Sequence, residues 1–319
     1  MVRKVCLTLV LSSALVLTLL LLLFLENASS HTEGQVLDHL YASEQSHPWS
    51  TNSVFANDVL THEVHLPLVM RHHHGQVSWL FRGVSIDAYW HDAFSTQRVY
   101  DLVDYARDLG VNSIALVVTW YQPDLTSSGP ITPTQRTVND ADLEDVIDYI
   151  HSQGIHVMLK PHVDPETGWR GQFVPDDPET WFANFTQFLL HYADMAERHD
   201  VELFCFGTEY VSLTNPSAGH TARWQGVIDA IKTVYNGKLT YAAHMDNEYR
   251  DIPTEIWQRL DYAGVNIYYT LSTEQTPTVA DLVDAWYYYD DPRAECVIGP
   301  GVRTYFDNLK NWQATHGKP

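Results

Sequence analysis

Residues 204–212 read FCFGTEYVS. Apolar and small residues run unbroken into Gly207-Thr208-Glu209. A strand that faced water on one side would alternate apolar with polar residues. A near-continuous apolar run fits a parallel sheet covered by helices on its faces. The run ends on a carboxylate, which is costly to bury unless it is paired or put to use. The stretch therefore poses two questions: which parallel architecture it belongs to, and what works with Glu209.

The same texture repeats on both sides of it. Apolar strands are expected at LFRGVSIDAYW (80–90), VNSIALVVTWYQ (111–122), IHVMLKPHVDPETGWRG (155–171), VELFCFGTEYVS (201–212), KLTYAAHMDN (238–247) and LDYAGVNIYYTL (260–271). Between them, residues 95–110, 140–154, 178–200, 221–237 and 253–260 carry apolar residues at helical spacing. Gly110 and Gly154 close the first two of these helices. Further helical patterns follow at 279–289 and 302–317; the first contains the run Trp286-Tyr287-Tyr288-Tyr289, read as core packing. Alternating strands and helices fit a doubly wound sheet or an eight-fold barrel. A doubly wound nucleotide binder would carry a glycine-rich phosphate turn after an early strand. No GxGxxG or Walker pattern is present. Nearly every strand instead exits into carboxylate, His, amide or aromatic residues: Asp87, Tyr89 and Trp90; Trp120; His162 and Asp164; Glu209; His244 and Asp246; Asn266, Tyr268 and Tyr269. A TIM (β/α)8-type barrel gathers such ends around one pocket. The expected fold is that barrel, with about six βα units in this chain.

Composition narrows the function. The net charge of -21 leaves nothing to neutralise phosphates, so nucleic acid is excluded as a partner. Attraction to anionic lipid is likewise disfavoured. The 10 Trp and 18 Tyr suit either sugar stacking or an ordinary core. Three Cys show no disulfide or metal framework. Arg3 and Lys4 precede an uncharged apolar stretch at 5–25, which is expected to be a signal peptide or an N-terminal membrane anchor within residues 1–28. Residues 29–78 read as a polar linker or stalk, in which His72-His73-His74 is more simply solvated than metal-binding. The barrel domain is expected over 79–319, secreted or anchored on the extracellular side. Membrane contact is expected only through the N-terminal segment.

The stretches KPHVD (160–164), WRGQFVP (169–175), FCFGTEY (204–210), LTYAAH (239–244) and LDYAGVNIYY (260–269) resemble glycoside hydrolase family 113, barrel enzymes that cleave β-1,4-mannan. The resemblance runs over most of residues 80–312. It implies a retaining double displacement on a mannan-type polysaccharide or oligosaccharide, with Glu209 as general acid/base. It further implies sugar contacts from His162 and Asp164, a cleft wall from Trp169 and Arg170, and a hold on the nucleophile by Tyr268 or Tyr269. Trp90 and Trp120 are candidates for stacking platforms or core. Asp87 is a candidate for substrate contact or orientation, and Asn266 for substrate contact. Thr208 stands where many members of the wider clan carry Asn beside the sugar 2-hydroxyl. No metal or organic cofactor is implied, because two carboxylates suffice for this chemistry. Six strands are visible where a barrel needs eight, and no acidic residue after 271 ends an apolar strand. The expectation is therefore of a barrel cut before strand seven, its nucleophile Glu falling beyond Pro319 and the 319-residue chain inactive alone. The alternatives are a non-catalytic carbohydrate-binding barrel and another β-glycosidase of the same clan.

Overall fold

The computed structural model describes residues 68–73, 76–268, 276–281 and 302–318. The chain divides into two compact units, Met1–Glu63 with Tyr269–Asn308, and Val64–Tyr268 with Leu309–Pro319. In the first, the described part is slight: the Asp281 carboxylate accepts bonds from the Thr278 N–H and hydroxyl at 2.9 and 2.8 Å. The signal or anchor stretch and the run 286–289 lie outside the described residues.

The second unit is built on one sheet whose strands follow each other in chain order from β1 to β7. The strands are β1 (Leu68–His73), β2 (Gln76–Ala88), β3 (Ser113–Gln122), β4 (His156–Pro165), β5 (Leu203–Thr208), β6 (Lys238–His244) and β7 (Tyr262–Asn266). β1 and the first half of β2 form an antiparallel hairpin. β1 falls inside the stretch that reads as linker. From Gly83 onward β2 pairs with β3, and every later pair is parallel and sequential. Crossovers that always step the same way wind a sheet into a barrel; a doubly wound sheet would reverse its order partway. The curl is visible in two contacts between strands that are not neighbours. Lys160 on β4 reaches the Asn266 Oδ1 on β7 at 3.4 Å, and Phe81 on β2 meets Tyr262 on β7 edge to face at 5.7 Å. The six parallel strands, β2 to β7, are those expected from the sequence, and they form a curled partial barrel.

The helices have local causes. α1 (Gln97–Asp108) precedes β3. α2 (Asp140–Ser152) starts where the Asn139 side chain accepts the Asp142 N–H, and buries Leu143, Val146, Ile147 and Ile150 along one stripe. α3 (Pro178–Arg198) starts with Pro178 and an Asp177 cap that accepts the N–H groups of Glu179 and Thr180. Shorter pieces follow: α4 (Val211–Thr214), α5 (Thr221–Ile231), α6 (Glu248–Asp251) and α7 (Thr254–Trp257), then α8 (Val302–His316). No described helix is long and apolar enough to cross a membrane.

Much of the aromatic surplus is core. Trp181, Trp224 and Trp257 are fully buried. Each indole N–H has an acceptor: Gln122 Oε1, the Leu213 carbonyl and the Tyr249 carbonyl, at 2.9, 3.0 and 3.1 Å. Trp181 stacks on Phe185 with ring centroids 4.8 Å apart, and Trp312 packs edge-on against Tyr249 and Trp257.

At the opposite end of the strands from their polar exits, Glu202 ties α2, β4 and β5 together. Its carboxylate accepts from His156 Nδ1 at 2.7 Å, His151 Nε2 at 3.1 Å and the Val157 N–H at 2.8 Å. Burial alone would raise its pKa; bonds from His151, His156 and Val157 outweigh burial and bring it down to about 2. The bond to Glu202 raises His151 in turn. A depressed carboxylate stabilises the fold above about pH 4.5 and loses that contribution as pH falls toward 2. A raised histidine contributes below about pH 6.5 and loses its share as pH climbs past that value. The clamp is strongest between those limits. Because the Glu202 side chain is 35% exposed, its net worth is held to about 1 kcal/mol. Glu202→Gln should cost that amount near pH 5 to 6, with the gap to wild type closing as pH falls toward 2; urea unfolding across pH reads it. A gap that does not change with pH contradicts the assignment.

Candidate active site

Glu209 closes β5 with its backbone at φ 54°, the left-handed region that a non-glycine residue enters only under constraint. The approach to it is irregular. β4 and β5 pair only at Met158–Leu203 and Leu159–Phe204, after which the strands part. The Val163 N–H, freed from the ladder, donates to the Tyr210 hydroxyl at 3.1 Å. On the other side, the register between β5 and β6 shifts between Cys205 and Thr208. Such bulges re-aim a side chain at the rim of a barrel. Beyond the bulge, the Glu209 N–H donates to the Ala242 carbonyl at 3.0 Å.

Glu209 is buried, 9% exposed as a residue, and its carboxylate receives two neutral donors. Asn266 Nδ2 reaches Oε1 at 2.9 Å from the end of β7, and Trp169 Nε1 reaches Oε2 at 3.3 Å from the loop after β4. Among the described residues no ion pair is made by Glu209, so the structural alternative of a buried salt bridge is not what this fold builds. The Asn266 amide is itself oriented: Lys160 donates to its oxygen, which turns the NH2 toward Glu209.

Beside this pair lies a second, charged group. Arg170 forks onto Asp164, with Nε to Oδ1 at 2.6 Å and Nη2 to Oδ2 at 2.9 Å. Its Nη1 donates to His162 Nδ1 at 2.9 Å, which assigns the His162 ring proton to Nε2. Burial works against the guanidinium charge, but Asp164 more than offsets it, and the Arg170 pKa rises above its ordinary value. Trp169 is braced by the His244 ring, edge to face at 5.1 Å, and stays 38% exposed. The fold thus gathers Glu209, Asn266, Trp169, Arg170, His162 and Asp164 at the exits of β4, β5 and β7. Thr208, also read from the sequence, is buried just before Glu209.

Other candidates fall elsewhere. Asp87 is buried and accepts the Tyr89 hydroxyl at 3.3 Å. Trp90 and Tyr268 stand exposed at the exits of β2 and β7, and the Tyr268 N–H approaches Met245 Sδ at 3.2 Å. Tyr269 lies outside the described residues. Trp120 does not line the mouth: its indole donates to the Tyr192 hydroxyl on α3 at 2.7 Å and packs on Phe188 and His191. The reason is the two-residue period of a strand, which puts Trp120 on the face it shares with Val118 and Leu116. Both faces of β3 are buried, so no polarity pattern revealed the choice. Among the described residues no group of three or more His, Cys, Asp or Glu is placed to hold a metal ion.

Two buried residues escaped the sequence reading. The Glu248 carboxylate accepts from the hydroxyls of Tyr241 and Thr214 at 2.6 and 2.8 Å and from the His244 N–H. Burial raises Glu248 to about 7 against those three bonds. Its charge therefore opposes the fold: the contribution is greatest below about pH 4.5 and is lost as pH rises through 7. Tyr241 is seated because residue 207 is glycine. A Cβ there would lie 2.6 Å from the Tyr241 ring, which has no room to move. Gly207→Ala should cost about 1–3 kcal/mol. Gly226→Ala, on α5 with nothing within 4 Å, should be stabilising by about 0.5–1 kcal/mol. Denaturant unfolding compares the two, and an innocuous Gly207→Ala contradicts the close packing.

Comparison with known proteins bears on the family and the fold. Residues 80–292 match the model of Glycoside Hydrolase Family 113. Among solved structures, a GH113 β-1,4-mannanase in a complex structure is 20% identical, with 73% of this chain and 68% of that chain covered at a TM-score of 0.58. The GH113 β-mannanase AaManA from Alicyclobacillus acidocaldarius, in complex with ManMIm, is 21% identical over 75% and 68%, with a TM-score of 0.60. A further GH113 β-1,4-mannanase is 20% identical over 72% and 81%, with a TM-score of 0.51. No curated protein matches the chain.

Proposed function

The chain belongs to glycoside hydrolase family 113, and from that premise we propose that it is a retaining glycosidase acting on β-1,4-linked mannan-type substrates, with Glu209 as general acid/base. One observation carries the role of Glu209. It is a carboxylate at the end of a barrel strand, held by two neutral donors and, among the described residues, by no cation, in a left-handed turn that aims it out of the strand. In the first step it protonates the leaving glycosidic oxygen; in the second it takes a proton from the attacking water. A partly dry mouth suits a carboxyl that must hold and release a proton in one cycle. Trp169 offers an indole face beside it, and the Arg170–Asp164–His162 group supplies fixed polar atoms for sugar hydroxyls. The mannanase titles of the fold neighbours support the choice of substrate.

The nucleophile is a second carboxylate that lies outside the described residues. Those described nearby are occupied: Asp164 by Arg170, and Glu248 by three donors in the core. That observation also favours a second reading, a barrel that binds sugar without cleaving it. The same reading puts the domain on the extracellular side, a proposal supported by the uncharged apolar run at 5–25 behind Arg3 and Lys4.

Glu209→Gln separates the readings. With azide supplied as an external nucleophile, wild type should turn over both a β-1,4-mannooligosaccharide and an aryl β-mannoside with a good leaving group. The variant should lose about 10²–10⁴-fold on the oligosaccharide, which needs protonation, and far less on the aryl substrate. Equal losses on both, or none, sink the acid/base role. Oligosaccharide binding without turnover in any condition favours the binding reading.

A further inference from the structure

The left-handed turn at Glu209 has to be held from outside, because a non-glycine side chain is crowded against its own backbone in that region. Its own N–H is tied to Ala242. The next N–H, that of Tyr210, donates to the Tyr241 hydroxyl at 2.8 Å. A phenol has one proton, and this one is given to Glu248 Oε1 at 2.6 Å. The direction of the hydroxyl is therefore set by Glu248: with its proton drawn to the carboxylate, its lone pair faces the Tyr210 N–H. Thr214, one turn further on in α4, grips the same carboxylate oxygen at 2.8 Å. The His244 N–H holds the other oxygen, so the carboxylate cannot turn away. Tyr210, Tyr241 and Glu248 are all buried, which leaves water little part in these bonds.

We propose that Glu248 is a positioning residue: acting through the Tyr241 hydroxyl, it fixes the Tyr210 peptide and with it the left-handed backbone that aims the Glu209 carboxyl into the mouth. The proposal rests on the reading of Glu209 as the acid. Glu248 touches no substrate, and its effect is on the geometry of proton transfer rather than on sugar binding. The consequence is selective. Loosening the turn should harm reactions that need a proton delivered to the leaving group and spare those that do not.

The test compares the full chain with Glu248→Gln, Tyr241→Phe and Thr214→Val. Thr214→Val removes one donor to Glu248 but leaves the link from Tyr241 to Tyr210 intact, and so reports plain loss of packing. The first readout is hydrogen exchange at the Tyr210 amide by NMR, with the β6 amides as reference. Exchange should be on the order of tenfold faster in Glu248→Gln and Tyr241→Phe, and unchanged relative to β6 in Thr214→Val. The second is the ratio of kcat/KM on a β-1,4-mannooligosaccharide to that on an activated aryl β-mannoside, with azide present throughout. That ratio should fall on the order of 10²-fold in the first two variants, with KM little changed, and hold its wild-type value in the third. Where Glu209→Gln behaves as an acid knock-out, either readout staying at wild type in Glu248→Gln overturns the proposal. Where Glu209→Gln leaves the ratio untouched, it is the reading of Glu209 that fails. The Tyr210 amide then decides the positioning alone: faster exchange upholds the clamp, and unchanged exchange overturns it.

Discussion

The turn at Glu209 is the constraint on which the site depends. A buried strand delivers an acidic residue to the mouth of the barrel, and the backbone there adopts a conformation that ordinary residues avoid. Everything around it serves to hold that turn. The strands on either side part or slip register, glycine at 207 leaves room for a phenol ring close by, and the phenol is pinned by a buried carboxylate. Strain at one residue persists when its surroundings over-determine it, and here the surroundings reach into α4, β6 and the start of α6.

The two ends of the strands divide the work. At one end Glu202 ties secondary structure together through hydrogen bonds from two histidines and a backbone N–H. At the other the charged group is kept beside Glu209 rather than on it: Arg170 is consumed by Asp164 and His162, and among the described residues Glu209 has neutral partners. A cation bonded directly to Glu209 would hold the carboxylate ionised and oppose its use as an acid. Separation of the two groups is what the proposed proton delivery by Glu209 requires.

The fold was legible because it is written locally. Apolar runs ending in polar residues gave six parallel strands, and the glycines closing α1 and α2 sit at φ 76° and 73° as helix ends require. Glu209 was legible for the same reason, as a carboxylate at the end of such a run. Trp120 was not, because both faces of β3 are buried and the strand period alone decides which way it turns. β1 was missed because its apolar start, Leu68-Val69-Met70, runs into Arg71-His72-His73 with no strand alternation to mark it. Glu248 was hidden most deeply. In MDNEYRD it looks like the start of an exposed helix, and its burial depends on Tyr241 and Thr214, brought to it by the packing of β6 and α4.

The central claim is that Glu209 is the residue that protonates the glycosidic oxygen of a β-1,4-linked mannan-type chain. The most direct measurement is a crystal structure of the Glu209→Gln protein with a β-1,4-mannooligosaccharide. The account predicts a glycosidic oxygen within about 3 Å of the residue-209 side chain, with a sugar ring lying beside Trp169. An oligosaccharide bound in the mouth with no glycosidic oxygen within reach of residue 209 would contradict it.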